Sequence, residues 1–128
     1  TKEFFENKYF ESDIMTDMPY AIYPEGFYRA IKSVNSLGKP IIVTENGIVD
    51  EKDDRRALFI DRYLYAMSKA IKEGSNVEGY FYWSLMDNFE WAQGFSQRFG
   101  LVWVDFDSLE RIPKESYHWY KNYISNNK

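Results

Sequence analysis

The sequence predicts an α/β chain built on a parallel pair of strands. Three observations predict it. Two apolar runs rich in β-branched and aromatic residues, 41–45 and 77–85, have the length of buried strands. A helical stripe lies between them, and strand, helix, strand in this order is a βαβ unit. No G-x-G-x-x-G follows either run and no P-loop occurs, which weighs against a dinucleotide-binding or nucleotide-binding sheet. A barrel or an open doubly wound sheet remains.

The elements follow in order. Residues 1–22 alternate aromatics and acids without a period and predict a loop-rich lead-in, with a short helix at 2–10. A helix then starts at Pro24, which suits a first turn, and Glu25 faces the positive end of its dipole. Phe27, Ala30, Ile31 and Val34 make its apolar stripe, and Gly38-Lys39-Pro40 stops it. The run 41–45, bounded by that stop and by Asn46-Gly47, predicts a strand buried on both faces. A loop carrying Asp50, Glu51, Asp53 and Asp54 leads to a helix over 55–73. Its stripe is Phe59, Tyr63, Ala66, Met67, Ala70 and Ile71, and Gly74 ends it. The second strand is 77–85, followed by a long loop over 86–100. "LVWVDF" reads as a short strand or hairpin arm, and "KESYHWYKNYI" as a terminal helix with Tyr117, Tyr120 and Ile124 on one face.

Composition narrows the function classes. The chain has 128 residues, 45% hydrophobic and 28% charged, which fits a single folded domain. Net charge is -4 and the basic residues are scattered, so no nucleic-acid surface is expected. With no cysteine, no disulfide framework or thiolate metal site is available, and neither metal nor cofactor is expected. No apolar run approaches the roughly 20 residues of a membrane span. No signal peptide or Asn-X-Ser/Thr sequon occurs, and a cytoplasmic protein is expected. The aromatic share of 20% suits either an aromatic core or a sugar-stacking surface.

In a parallel barrel the C-terminal ends of the strands carry the chemistry. Glu45 ends the first strand. The loop after the second strand brings Asp87, Glu90 and Trp91 close to Trp83. Two adjacent strands would gather these acids and indoles at one rim. Taken singly they read more plainly: Glu45 as a cap or rim ion pair, Trp83 as core, Asp87 and Asn88 as turn residues, Trp91 and Phe99 as plugs of the barrel mouth.

Taken together they resemble family 1 of the glycoside hydrolases, the β-glucosidase-type retaining enzymes. "IIVTENG" (41–47) is similar to the family's nucleophile motif, and "GYFYWSLMDNFEWAQGF" (79–95) to its W-S-L-x-D-N-F-E-W stretch. "RFGLVWVDF" (98–106) with "RIPKESYHWYK" (111–121) resembles the family's C-terminal end. "YPEGFYRAI" and "DRYLYAM" match more loosely, and Met67 stands where many members have His. The likeness spans nearly the whole chain. It implies the last two β/α units of a (β/α)8 barrel, so that residues 1–128 are a C-terminal part of one barrel domain. A barrel of eight strands usually takes about 250 residues.

Carried over by position, the resemblance implies Glu45 as the catalytic nucleophile. It implies Trp83 as a platform for the sugar and Glu90 as the acid that binds glycone hydroxyls. Trp91 corresponds to an indole N–H donor and Phe99 to an aromatic lining the site. Asn46, Asp87 and Asn88 correspond to supporting residues. Retention of Glu90 and Trp91, with Phe99, is similar to members acting on unphosphorylated sugars. The implied substrate is a β-glycoside or oligosaccharide. A retaining mechanism needs a second carboxyl about 5–5.5 Å from the first. In the family it lies in a T-x-N-E-P motif, which this sequence lacks. The expected partner is therefore the remainder of the barrel, and the chain alone is expected to be inactive. A sugar-binding relative without activity, or a half-barrel partner subunit, is the other reading left open.

Overall fold

The computed structural model describes residues 12–127; the helix expected at 2–10 lies outside them. The elements are α1 (Pro24–Asn35), β1 (Ile41–Asn46), α2 (Arg56–Lys72), β2 (Val77–Tyr82), a 3-10 turn (Trp91–Gln93), β3 (Val102–Val104), β4 (Arg111–Pro113) and α3 (Glu115–Asn126). β1 and β2 pair in parallel around α2, the βαβ unit expected from the stripe between two apolar runs. β3 pairs antiparallel with β4, so "LVWVDF" is a hairpin arm. Its partner, "RIP", holds a proline and spans three residues, too short for its period to show.

The helices form a row in which α2 packs on both α1 and α3. The core between row and sheet is built on Phe59, Ile60, Tyr63 and Leu64 of α2, with Ile22, Ile48 and Leu101. Tyr80 and Tyr82, two residues apart and so on one face of β2, pack against that cluster. The other face is open: Ile42 is 55% and Phe81 62% exposed. This corrects the expectation of a strand buried on both faces. The helices cover one face, and among the described residues nothing covers the other. Val34, Ile71 and Ile124 are also exposed, although each falls on its helix's stripe. α1 and α3 end the row, so one flank of each is bare, at Val34 and Ile124, whereas Ile71 stands in the last turn of α2. β2 stops at Tyr82 rather than running to 85. Beyond it the Trp83–Ser84 peptide is cis, and the Ser84 carbonyl accepts the Leu101 N–H at 2.9 Å. Among the described residues no helix is long and apolar enough to cross a membrane.

The loop acids cap helices, and one arginine ties the loops together. Asp50 is fully buried, and its Oδ2 accepts the Arg55 and Arg56 N–H groups at 2.9 Å each. This satisfies orphan donors at the α2 N-terminus. Asp53 does the same for α3, accepting the Ser116 N–H at 2.8 Å. Arg56 is 0% exposed, and its Nε donates to Asp53 at 2.7 Å. Its Nη1 serves the Ile48 carbonyl at 2.8 Å, the Phe99 carbonyl at 2.9 Å and the Tyr82 hydroxyl at 2.8 Å. Its Nη2 serves the Arg98 carbonyl at 3.0 Å and the Asp50 carbonyl. One guanidinium thus joins the loop after β1 to the loop after β2.

Arg56→Met leaves those carbonyls and Asp53 without their donor inside the fold. It should cost about 3–5 kcal/mol, read from urea unfolding followed by circular dichroism; a loss below about 1 kcal/mol would contradict this account. Tyr82 gives a pH test. Burial pushes its phenol up to about 12 against the opposing pull of Arg56. A group with a raised folded pKa stabilises fully below its unfolded pKa, here about 10, and that share is lost as pH climbs through the folded value. Melting temperature should therefore fall between about pH 10 and 12, and Tyr82→Phe should flatten the fall by about one proton. An unchanged slope in Tyr82→Phe would count against a protonated, buried Tyr82.

Candidate active site

The C-terminal ends of β1 and β2 open into a cleft of about 540 Å³, within the usual range for a small-molecule site. Glu45 and Asn46 line it from the end of β1 and Trp83 from the end of β2. The loop after β2 contributes Asn88, Glu90, Trp91 and Phe99. The β1–β2 register is irregular between Val43 and Asn46. Such a break re-aims side chains, and here two consecutive residues reach one cleft instead of alternating. Glu45 is exposed, Trp83 and Glu90 are half-buried, and Phe99 is buried at the base. Trp91 is 82% exposed, with its indole at the open mouth.

Both walls meet closely at the floor. A Cβ on Gly47 would lie 1.8 Å from the Trp83 carbonyl oxygen, so only glycine fits there. The same contact explains the glycine after Glu45-Asn46, because the chain must pass against the other strand's end. The Trp83 N–H donates to the Asn46 carbonyl at 3.0 Å. The Tyr80 hydroxyl donates to Asn46 Oδ1 at 2.9 Å.

The loop after β2 is held from below. Asp87 does not line the cleft: it is buried beneath the loop. Its Oδ1 accepts the Gly100 N–H at 2.8 Å and Lys114 Nζ at 3.1 Å, and its Oδ2 accepts Arg98 Nη1 at 3.2 Å. Gly100 has no room for a side chain, since a Cβ would come within 2.1 Å of the Asp87 nitrogen. Asn88 Nδ2 donates to Ser84 Oγ at 2.8 Å and to the Met86 carbonyl at 2.9 Å. The Glu90 N–H donates to the Gly94 carbonyl at 2.6 Å, and the Glu90 carbonyl accepts the Gln93 N–H at 2.7 Å. The acid thus sits on a closed turn. Burial, and then the Arg56 charge, hold the Lys114 ammonium below its ordinary range.

Several residues that shape this site escape a pattern reading: Arg56, Tyr80, Tyr82, Arg98, Lys114 and the cleft-lining Phe89. Arg56 left a signal. It stands three, four and seven residues before Phe59, Ile60 and Tyr63, on the apolar stripe of α2, where an arginine must be paired. Arg98 and Lys114 left none, because their partner Asp87 is distant in sequence.

The cleft offers carboxylates beside apolar ring faces. Carboxylates and amides suit a ligand's hydroxyl edges, and indole and phenyl rings suit a C–H face. Among the described residues no cluster of three or more His, Asp or Glu is placed to hold a metal.

Comparison with known proteins agrees with this chemistry. The sequence pattern of "Glycosyl hydrolase family 1" matches residues 1–128. β-Glucosidase A of Acetivibrio thermocellus is 43% identical over 94% of this chain and 30% of its own length. A bifunctional β-D-glucosidase/β-D-fucosidase of Bifidobacterium breve is 42% identical over 86% of this chain and 27% of its own. The structure of the Thermotoga maritima β-glucosidase in complex with glucoimidazole superposes with a TM-score of 0.87. It is 38% identical, over 93% of this chain and 30% of that one. The chain spans less than a third of the length of these relatives. With the whole sequence matched and the βαβ unit in place, the chain belongs to glycosyl hydrolase family 1 and is a portion of its (β/α)8 barrel.

Proposed function

We propose that this chain carries the nucleophile-bearing part of a retaining β-glycosidase acting on unphosphorylated β-glucosides or β-galactosides. One observation carries the proposal. Glu45, at a strand's C-terminal end, shares a cleft with Trp83, Glu90, Trp91 and Phe99, a set suited to grip a sugar ring. The Glu45 carboxylate attacks the anomeric carbon as the glycosidic oxygen departs with a proton from a second carboxyl. Water, deprotonated by that second group, then attacks the same carbon and releases Glu45. Glu90 accepts hydrogen bonds from glycone hydroxyls, and Trp83 supplies a ring face. The Trp91 indole N–H donates to a ring hydroxyl, and Phe99 closes the inner wall. Asn46, Asp87 and Asn88 hold the strand end and loop, so that Glu45 stays within the tolerance that proximity effects demand.

The second carboxyl belongs to the rest of the barrel, in a T-x-N-E-P segment that this sequence does not contain. That remainder is the proposed partner. The open sheet face, with Ile42 and Phe81 bare, fits burial inside a barrel. A Thermotoga maritima β-glucosidase of the same fold, solved in complex with glucoimidazole, supports a sugar-like ligand for this family member.

In a barrel completed by the segment bearing T-x-N-E-P, Glu45→Gln should lower turnover of an aryl β-glucoside by at least about 10³-fold. Wild-type turnover in that variant would remove Glu45 from its role, and sugar binding without turnover in the unmutated barrel would favour a binding protein. The 128-residue chain alone should show no turnover of the same substrate. Robust activity there would overturn the need for a partner segment.

A further inference from the structure

Tyr80 lies on the helix-facing side of β2, packed against the core. Asn46, at the end of β1, lines the cleft beside Glu45. A hydrogen bond joins these two layers, from the Tyr80 hydroxyl to Asn46 Oδ1 at 2.9 Å. The backbone of Asn46 is fixed as well, since its carbonyl accepts the Trp83 N–H at 3.0 Å. Burial keeps the Tyr80 phenol above its ordinary range, so it remains a donor. A carboxamide whose oxygen is committed on one side turns its nitrogen, with two N–H donors, to the other. Asn46 also lines the cleft.

We infer that Tyr80 is a positioning residue, holding the Asn46 carboxamide by its oxygen so that Nδ2 presents its N–H donors to the bound ring beside Glu45. The ligand atom it recognises is an acceptor oxygen of the sugar. This rests on the reading of the cleft as a glycosidase site and adds to it. The carboxylates at Glu45 and Glu90 can only accept, so an amide N–H here supplies donor chemistry from the same wall as the nucleophile. Without Tyr80 the amide can turn its oxygen toward the ligand's oxygen, where neither atom donates.

The test uses the barrel completed as above, with glucoimidazole as binding probe and an aryl β-glucoside as substrate. Tyr80→Phe removes one oxygen and keeps the ring. It should weaken the Kd for glucoimidazole and lower kcat/KM about tenfold each, the size of one hydrogen bond. Asn46→Ala should do the same, and the double variant should be no worse than Asn46→Ala alone, because both remove one device. A merely structural Tyr80 would lower the melting temperature and leave Kd unmoved, or would add its full effect to that of Asn46→Ala. Either result overturns the inference, as does a wild-type Kd in Asn46→Ala, a variant that leaves the Tyr80 ring in place. Glu45→Gln separates the two readings. If it is inactive while Tyr80→Phe behaves as wild type, only the role of Tyr80 falls. If it is active, the nucleophile assignment falls whatever Tyr80 does.

Discussion

The fully buried guanidinium of Arg56 is the interaction on which the rest depends. It takes the carbonyls of Ile48 and Asp50 from the loop after β1, and those of Arg98 and Phe99 from the loop after β2. Irregular backbone can be buried only when its polar groups are paired. Two loops that turn away from their strands would each leave carbonyls bare. One planar donor set answers both, and so fixes the loops to each other. Tyr82 extends the device, accepting from Arg56 at 2.8 Å and donating to Phe99 at 3.1 Å. Because Phe99 is a wall of the cleft, the shape of the site is set from behind it.

A second buried charge works alongside. Asp87 gathers Arg98, Lys114 and the Gly100 N–H, and so anchors the loop that bears Asn88, Glu90 and Trp91. Arg98 also stacks on Phe106, its guanidinium carbon 4.8 Å from the ring centroid. Cations and anions alternate beneath the cleft, from Arg56 and Asp53 to Lys114, Asp87 and Arg98. Each is paired, which is what makes their burial tolerable.

Much of this was legible in the sequence, for reasons that particular residues show. The stripe Phe59, Tyr63, Ala66 and Ala70 marked α2 because the helical period is a local property. The strand end at Glu45 was marked by β-branched residues before it and Asn46-Gly47 after it. Of the cleft residues, Trp83, Asn88, Glu90 and Trp91 were legible because they sit in one contiguous block, 83–91, whose order is itself a pattern. Asp87 was legible as a member of that block but not in its place: it reads as a turn residue, and lies instead at the centre of an ion cluster. The exposed face of β1 could not be read, because an apolar strand looks the same whether its cover is present or not. β4 was unreadable because three residues carry no period.

The two strands of the sheet have a consequence beyond the cleft. Each has one edge paired with the other and one edge that meets no strand among the described residues. On the open face between those edges stand Ile42 and Phe81. Unpaired backbone next to bare apolar side chains is a template for adding further strands. Handled at high concentration, the chain would therefore self-associate through its sheet, and a net charge of -4 gives only a weak colloidal counterforce. The feature that suits this segment to lie within a closed barrel makes it prone to aggregation outside one.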